Sequence, residues 1–175
     1  MTPKQLESAL ARVRLLVLDV DGVMTDGAVW FGATETLHRY DIRDGTGIKY
    51  LMRNNIEIAV ITGRESESVA RYCRSLDIRE LCQRRLDKLP AFIDMLERRN
   101  LPAEQAAVVG DDLPDLPLLS HAGVGIAVAD AHEEVRRHAD WITRARGGHG
   151  AVREVAEAIL KAKGLWTKVL ERYLG

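Results

Sequence analysis

Two aspartates two residues apart, in Asp19-Val20-Asp21-Gly22, stand directly after the apolar run Val13–Leu18, which only Arg14 interrupts. A second acidic motif, Gly110-Asp111-Asp112, follows the apolar run Ala106–Val109. Carboxylates gathered at the ends of buried strands repel one another unless a cation lies between them. Beside a cation, an aspartate can also act as a nucleophile toward phosphorus. The pattern therefore predicts a Mg²⁺-dependent phosphoryl-transfer site built on aspartate.

Two other motifs supply the positive charge and the hydrogen-bond donors that this reaction needs. Thr62-Gly63-Arg64 follows the apolar run Ile56–Ile61, and Lys88 opens a helical pattern. Two negative charges about 4 Å apart repel each other by about 4 kcal/mol at an effective dielectric of about 20, which opposes the approach of a carboxylate to a phosphate ester. A divalent cation and an ammonium around the phosphoryl oxygens reverse the sign of that interaction.

We therefore predict a catalytic role for four residues. Asp19 attacks phosphorus and forms an aspartyl-phosphate, and Asp21 protonates the leaving alkoxide and later accepts a proton from the hydrolytic water. Thr62 binds a phosphoryl oxygen through its hydroxyl and nearby backbone N–H groups. Lys88 neutralises charge on the nucleophile and on the phosphoryl group.

The predicted metal ligands are oxygen atoms, which Mg²⁺ prefers. They are the side chain of Asp19, the backbone carbonyl of Asp21 and the side chain of Asp111. Outside these ligands, Asp112 is expected to orient Lys88 or a water, and Asp115 is expected to lie with it. Each motif alone also occurs as an ordinary turn or helix start, but their joint occurrence in this order favours one shared site.

Short apolar runs alternate along the chain with apolar residues at helical spacing. The runs are Leu15–Leu18, Ile56–Ile61, Ala106–Val109, Val124–Val128 and Trp141–Thr143. Near-continuous apolar strands joined by helices predict an α/β fold with a doubly wound, Rossmann-like parallel sheet. Ligand sites in such sheets lie beyond the carboxyl ends of the strands, which is where the acidic motifs and Thr62-Gly63-Arg64 fall.

One segment interrupts this alternation. Ala28–Phe31 and Glu35–Ile42 are typical of strands, and the three residues between them, Gly32-Ala33-Thr34, predict the turn of a projecting β-hairpin over about residues 26–42. Asp44-Gly45-Thr46-Gly47 then predicts a turn into a helix that begins near Ile48. The C-terminal tail, residues 165–175, is too apolar for a free segment, so we expect it to dock.

Composition narrows the possible classes of protein. The 175 residues are 46% hydrophobic and 29% charged, which suits a single globular domain over residues 1–175. A net charge of −1 gives no electrostatic argument for nucleic acid or an anionic membrane. No stretch approaches the roughly 20 apolar residues of a membrane span, and the N-terminal pattern is not that of a signal peptide. Cys73 and Cys82 lack metal or redox spacing, which favours reduced thiols and a cytoplasmic location.

These motifs resemble those of the haloacid dehalogenase superfamily. Over about residues 10–163, the chain is similar to its 3-deoxy-D-manno-octulosonate (Kdo) 8-phosphate phosphatase family. The superfamily motifs are Asp19–Gly27, Ile61–Arg64, Lys88 and Gly110–Asp115, and the family motifs are Arg43–Ile48, Val128–His132 and Gly147–Val155.

The resemblance implies an activity and an assembly. The expected reaction is hydrolysis of Kdo 8-phosphate to Kdo and phosphate, on the path to lipopolysaccharide, with Mg²⁺ as the cofactor. The family has no large cap domain. Its hairpins associate in a homotetramer instead, neighbouring subunits complete each site, and the C-terminal tail can reach over a neighbour's site.

The resemblance also implies contacts with a sugar acid phosphate. They fall on Asp21, Asp41, Ile42, Arg43, Asp44, Gly45, Lys49, Arg64 and Lys88. Arg64 would come from a neighbouring subunit and bind the sugar carboxylate. Three positions depart from the family pattern: Tyr72 replaces an arginine, Lys49 stands where arginine is common, and Arg84 replaces a glycine. They affect the choice of sugar acid and leave the phosphatase chemistry in place.

Three other interpretations stay open at this point. The substrate of the same chemistry is alternatively a related nine-carbon 2-keto-3-deoxy sugar acid phosphate. A receiver-type, phospho-accepting signalling module also combines a parallel sheet with acidic residues, threonine and lysine, but no lone aspartate follows Ile56–Ile61. A non-catalytic scaffold that forms a tetramer is disfavoured because every catalytic position is present.

Overall fold

The computed structural model describes residues 1–33 and 35–174. Its six-stranded parallel sheet consists of β1 (Leu15–Leu18), β4 (Glu57–Ile61), β5 (Glu80–Cys82), β6 (Ala106–Gly110), β7 (Val124–Ala127) and β8 (Trp141–Ile142). The strand order is β5-β4-β1-β6-β7-β8, so the chain winds outward in two directions from β1. This confirms the predicted doubly wound α/β fold. The reversal beside β1 is the position where such sheets place a ligand site.

Eight helices accompany the sheet within the described residues. They are α1 (Pro3–Arg12), α2 (Ile42–Arg53), α3 (Glu67–Ser75), α4 (Leu89–Arg98), α5 (Leu116–His121), α6 (Glu133–His138), α7 (Ala151–Ala162) and α8 (Trp166–Leu174). Every residue of β1, β6 and β7 is buried, as expected for strands covered on both faces. None of the helices in this part of the chain combines the length and the apolar character that a membrane crossing requires.

The β-hairpin is shorter than predicted. β2 (Trp30–Phe31) and β3 (Thr36–Leu37) pair antiparallel, and an isolated bridge joins Thr25 to Tyr40. The last residue of the predicted turn, Thr34, lies outside the described residues. Ile42, expected at the end of the second strand, instead begins a helix.

The prediction that this helix begins near Ile48 was therefore wrong. Asp41 starts the helix six residues earlier, because its carboxylate accepts the backbone N–H of Arg43 at 2.8 Å and so caps the first turn. The glycines of the predicted turn serve helix packing. A Cβ on Gly47 would lie 3.1 Å from the Cβ of Ala156 in α7, so the absence of a side chain lets the two helices approach closely.

Four elements were not predicted from the sequence: the edge strand β5 and the helices α1, α5 and α6. The C-terminal tail docks, as expected, by forming α8, in which Val169 is buried. Trp166 of α8 packs edge-on against Tyr50 of α2, and the guanidinium of Arg153 lies 4.8 Å from the centre of the Tyr50 ring. The tail therefore packs on α2 and α7 of its own chain.

Candidate active site

A cavity of about 350 Å³ opens where β1, β4 and β6 end. Eight of the predicted site residues line it: Asp19, Asp21, Thr62, Arg64, Lys88, Asp111, Asp112 and Asp115. Residues from four separate stretches of sequence meet here because parallel strands bring their carboxyl ends to the same edge of the sheet.

The conformation of the loop after β1 depends on a glycine and a threonine, Gly22 and Thr25. Gly22 has φ +87°, and a Cβ at this position would overlap the carboxylate of Asp111. The Thr25 hydroxyl donates to the carbonyl of Val20 at 3.2 Å and accepts the N–H of Gly27 at 3.2 Å. Glycine therefore lets Asp111 approach the aspartate pair, and threonine holds the loop closed.

Lys88 joins two carboxylates in the floor of the cavity. Its ammonium donates to Asp19 and to Asp115, each at 2.7 Å, and its side chain is 5% exposed. The other oxygen of Asp115 accepts the N–H of Asp111 at 3.0 Å. Asp112 accepts the N–H of Leu113 at 2.8 Å and does not contact the ammonium. Of the two roles expected for Asp112, the orientation of Lys88 thus belongs to Asp115.

The carboxylates outnumber the positive charges around them. Oxygens of Asp19, Asp111 and Asp115 lie within 4.8 Å of one another, with Lys88 as their bound ammonium. Burial, with repulsion between these carboxylates, raises the pKa of Asp19 to about 7 and that of Asp111 to about 8. This shortage of positive charge is what a divalent cation would supply.

The arrangement fits Mg²⁺. Oδ1 of Asp111 and Oδ1 of Asp21 are buried and have no hydrogen-bond partner among residues 1–33 and 35–174. Asp115 belongs to the same cluster, but both of its oxygens already accept hydrogen bonds. Asp111 therefore has a free buried oxygen for a metal, and Asp19 lies in the same cluster with Lys88 on its Oδ1, so these two are the candidate side-chain ligands. Asp115 serves to hold Lys88 and the loop after β6.

Thr62 and Arg64 form the opposite wall of the cavity. Thr62 is buried, and its N–H donates to the carbonyl of Cys82 in the sheet at 2.9 Å. Its hydroxyl accepts the N–H of Arg64 at 3.3 Å, which leaves the hydroxyl hydrogen available to a phosphoryl oxygen. Arg64 is half-exposed, and its Nε lies 3.9 Å from Oδ2 of Asp21 in the same chain. Each chain thus brings its own Arg64 to its catalytic cavity, whereas the resemblance assigned this arginine to a neighbouring subunit.

The predicted substrate contacts on α2 lie elsewhere. Ile42, Gly45 and Lys49 line a separate groove of about 330 Å³, together with Tyr40 and Tyr72. Within one chain, this groove and the catalytic cavity have no lining residue in common. The structure therefore divides the predicted site residues into two groups.

Four of the predicted contacts at the start of α2 and within it, Asp41, Arg43, Asp44 and Lys49, have partners within the chain. Asp41 binds Arg43 at 2.7 Å at the start of the helix, and the Lys49 ammonium binds Asp77 at 2.6 Å. Asp44 is buried and accepts the N–H of Arg153 at 2.7 Å, at the N-terminus of α7. Asp44 thus caps a helix distant in sequence, and its side chain is not open to a substrate.

The positions that depart from the family pattern lie near the two cavities. Tyr72 stacks on Tyr40 with ring centres 3.7 Å apart. Arg84 pairs with Glu65, so the basic loop before Lys88 is tied to the start of α3. These contacts place an aromatic pair where the resemblance expects an arginine.

The structure adds two residues to the predicted site. Arg85 lines the catalytic cavity and follows Arg84, a position already expected to affect the choice of sugar acid. The imidazole of His38, which sequence reasoning missed, lies beside the cavity, with Nε2 3.8 Å from Oδ1 of Asp21. His38 had no local signal, because only the folding of the hairpin back onto the loop after β1 brings it to Asp21.

A doubly wound sheet with these carboxylates, threonine and lysine at its switch point defines a hydrolase of the haloacid dehalogenase type. A family profile described as haloacid dehalogenase-like hydrolase matches residues 75–155. The chain is 46% identical, over 153 residues, to the 3-deoxy-D-manno-octulosonate 8-phosphate phosphatase KdsC of Escherichia coli K12. The aligned residues cover 87% of this chain and 81% of that protein. The chain belongs to this phosphatase family and is a phosphoric monoester hydrolase.

Solved structures agree with this placement. A probable YrbI family phosphatase from Pseudomonas syringae pv. phaseolica superposes with a TM-score of 0.96 at 42% identity, over 98% of both chains. The Kdo 8-phosphate phosphatase of Moraxella catarrhalis, solved with a magnesium ion, a phosphate ion and a Kdo molecule, gives a TM-score of 0.95 at 34% identity. That match covers 98% of this chain and 99% of the other.

Proposed function

We propose that this enzyme hydrolyses Kdo 8-phosphate to Kdo and phosphate in lipopolysaccharide biosynthesis, with its single domain acting in the cytoplasm. The observation that carries the proposal is the buried contact of Lys88 with Asp19, inside a carboxylate cluster that has free oxygens for Mg²⁺. Membership in the phosphatase family and the Kdo bound to the Moraxella relative support the choice of substrate.

In the first chemical step, a carboxylate oxygen of Asp19 attacks phosphorus and the bond from phosphorus to the ester oxygen breaks. Asp21 gives its proton to the departing alkoxide. Lys88, held in place by Asp115, donates hydrogen bonds to the nucleophile and to the phosphoryl group, and the Thr62 hydroxyl donates another. Water then attacks the aspartyl-phosphate, Asp21 takes its proton, and Asp19 is released.

Asp19, the carbonyl of Asp21 and Asp111 would hold the metal. When bound, Mg²⁺ neutralises charge on the phosphoryl oxygens and so lowers the barrier to attack by an anion. Lys88 favours the ionised form of the Asp19 carboxylate and orients it. Asp112 and Asp115 cap the loop that presents Asp111.

The sugar acid binds where two subunits meet. The catalytic cavity of one subunit holds the phosphate, while Asp41, Ile42, Arg43, Gly45 and Lys49 of a neighbour contact the sugar in a homotetramer, with Arg64 at the sugar carboxylate. Exposed aromatic side chains on the hairpin support such an assembly, since Trp30 is 68% and Phe31 78% exposed. The tail beyond Gly164 contributes Tyr173 to the groove on α2, next to the residues that contact the sugar.

Tyr72 and Lys49 depart from the family pattern and so support a second candidate substrate, a nine-carbon 2-keto-3-deoxy sugar acid phosphate. The arginine expected at Tyr72 is replaced by an aromatic ring, and lysine lacks the two-pronged hydrogen bonding of arginine. The signalling alternative has no comparable support, because Thr62 rather than an aspartate follows β4.

A phosphate-release assay across sugar acid phosphates tests the proposal. Kdo 8-phosphate should give the highest kcat/KM, above the nine-carbon analogue and an aryl phosphate. An aryl phosphate that equals both sugars would overturn the assignment.

Asp19→Asn tests the nucleophile. This substitution should abolish turnover and leave the fold nearly unchanged, because the amide keeps the shape of the side chain. The Mg²⁺-free stability should also stay nearly unchanged near pH 5, where Asp19, with its pKa raised to about 7, is neutral like the amide. Circular dichroism and thermal unfolding provide the control. Activity near that of the unmodified enzyme would exclude Asp19 as the nucleophile.

A further inference from the structure

A buried histidine beside the catalytic cavity has no role in the mechanism above. The His38 imidazole is 2% exposed, and its Nδ1 has no hydrogen-bond partner in the described part of the chain. Its Nε2 lies 3.8 Å from Oδ1 of Asp21, which is also buried and without a partner among those residues. An unpaired buried carboxylate oxygen costs free energy, so a hydrogen bond from Nε2 across this gap, which would give Oδ1 of Asp21 a partner, would be favourable.

We infer that His38 is a positioning residue for Asp21: its Nε2–H holds the Asp21 carboxyl group in the orientation that delivers a proton to the leaving oxygen. A movement of about 1 Å closes their separation to hydrogen-bond length. The inference rests on the proposed role of Asp21 as the general acid.

The surroundings explain why His38 can perform this task better than the other neighbour of Asp21. Arg64 approaches the second carboxylate oxygen at 3.9 Å, but its side chain is 51% exposed and therefore fixes Asp21 weakly. The imidazole, in contrast, is enclosed by the protein. A buried side chain has few alternative rotamers, so it can hold its partner in one orientation.

The segment that carries His38 is attached directly to the catalytic loop. The bridge between Thr25 and Tyr40 ties the base of the hairpin to the loop after β1. Arg39 donates to the carbonyl of Gly148 at 3.3 Å and anchors the same segment from the other side. The hairpin thereby places His38 beside the proposed general acid, Asp21, while its opposite, exposed face stays available for contact with a neighbouring subunit.

The test compares two leaving groups. An alkoxide leaves only with a proton, whereas p-nitrophenolate leaves readily without one, so a defect in proton delivery lowers kcat/KM for the alkyl ester alone. His38→Phe should reduce kcat/KM at least about tenfold for the best alkyl phosphate found in the sugar acid panel. With p-nitrophenyl phosphate, kcat/KM should stay within about twofold of the unmodified enzyme. His38→Gln, whose amide N–H reaches the position of Nε2, should restore the ratio.

Glu35→Gln is the matched control, since this side chain on the same hairpin is exposed and has no part in holding His38 or Asp21, and it should leave the ratio unchanged. Equal loss on both esters in His38→Phe, or no loss, would overturn the inference. If His38→Phe does not fold, His38→Asn replaces it, because its shorter amide reaches Nδ1 and should not rescue. The ratio of kcat/KM for the alkyl ester to kcat/KM for p-nitrophenyl phosphate is measured on whichever sugar ester the enzyme prefers. The test of His38 therefore does not depend on whether Kdo 8-phosphate is the substrate.

Discussion

At the scale of single residues, the chemistry depends on a balance of charge around Asp19. One ammonium, that of Lys88, contacts Asp19 and Asp115, and Asp111 lies in the same cluster. The raised pKa values of Asp19 and Asp111 express this imbalance. A metal and protons therefore compete for the same oxygens.

This competition predicts how Mg²⁺ stabilises the protein at different pH. A carboxyl group whose pKa is higher in the folded than in the unfolded state contributes stability at low pH, and this is lost as the pH rises through the folded value. With pKa values raised from 3.8 to about 7 and about 8, the metal-free protein should lose stability between about pH 4 and pH 8. Bound Mg²⁺ offsets the charge that appears over this range.

Thermal unfolding with Mg²⁺ and with EDTA measures the effect. The increase in Tm on adding saturating Mg²⁺ should be small near pH 5 and roughly 5–10 °C near pH 8. Asp111→Asn removes one of the titrating ligands and serves as the control, so its increase should be small at both pH values. Equal increases at both pH values in the unmodified enzyme would contradict the assigned ligands.

At the scale of elements, the sequence patterns located five of the six strands of the sheet and missed the edge strand β5. Strands β1, β4, β6 and β7 coincide with apolar runs to within about one residue, because buried strands require such runs, and the partly exposed edge strand β8 coincides equally well. β5 was missed because Glu80-Leu81-Cys82 is short and half-buried. The early start of α2 was missed because glycine is typical of turns, whereas here it permits close helix packing.

The residues of the candidate site also divide into those that local sequence patterns predict and those that they do not. Residues that directly follow buried strands were found from local pattern alone, as at Asp19, Thr62 and Asp111. His38 and the capping role of Asp44 depend on contacts between distant segments, since Asp44 binds Arg153 more than a hundred residues away. Local spacing carries no information about such contacts.

The loop that begins at Gly147 supports the catalytic loop, which gives a prediction for Gly148→Ala. Gly148 has φ +63° and donates to the carbonyl of Val23 at 3.0 Å, and a Cβ here would overlap the backbone at Asp26. Displacement of the loop that carries Asp21 should lower kcat at least about tenfold. Steady-state kinetics at saturating Mg²⁺ measure it.

Gly164→Ala is the control that distinguishes the overlap with the catalytic loop from the backbone strain of a positive φ. Gly164 has a similar φ of +69°, but a Cβ there would meet nothing within 4 Å. Gly164→Ala should lose about 1–2 kcal/mol of stability from the positive φ, measured by denaturant unfolding, and Gly148→Ala should lose more because of the additional overlap. Only Gly148→Ala should lose activity through the catalytic loop, and equal kcat in the two variants would show that the loop beginning at Gly147 has no catalytic influence.

At the scale of the whole molecule, one chain has two separate cavities, which the proposed function assigns to two halves of one sugar phosphate site. The cavity around Asp19 has the groups for phosphate chemistry, and the groove on α2 holds Lys49 and the Tyr40–Tyr72 pair. An assembly that places the groove of one subunit against the cavity of the next would complete both. The exposed hairpin, with Trp30 and Phe31, provides an apolar surface for such an assembly.

Mixed tetramers test this arrangement. Asp19→Asn lacks the nucleophile but keeps the α2 group, whereas Arg43→Gln keeps the nucleophile but weakens the α2 group. If each site combines two subunits, co-expression of the two variants in equal amounts should yield about a quarter of the kcat/KM of the unmodified enzyme, since that fraction of sites receives both intact halves. Light scattering should show the same tetramer in every sample. If α2 instead serves the site of its own subunit, no mixed site is intact, and the mixture should be no more active than the Arg43→Gln subunits that it contains.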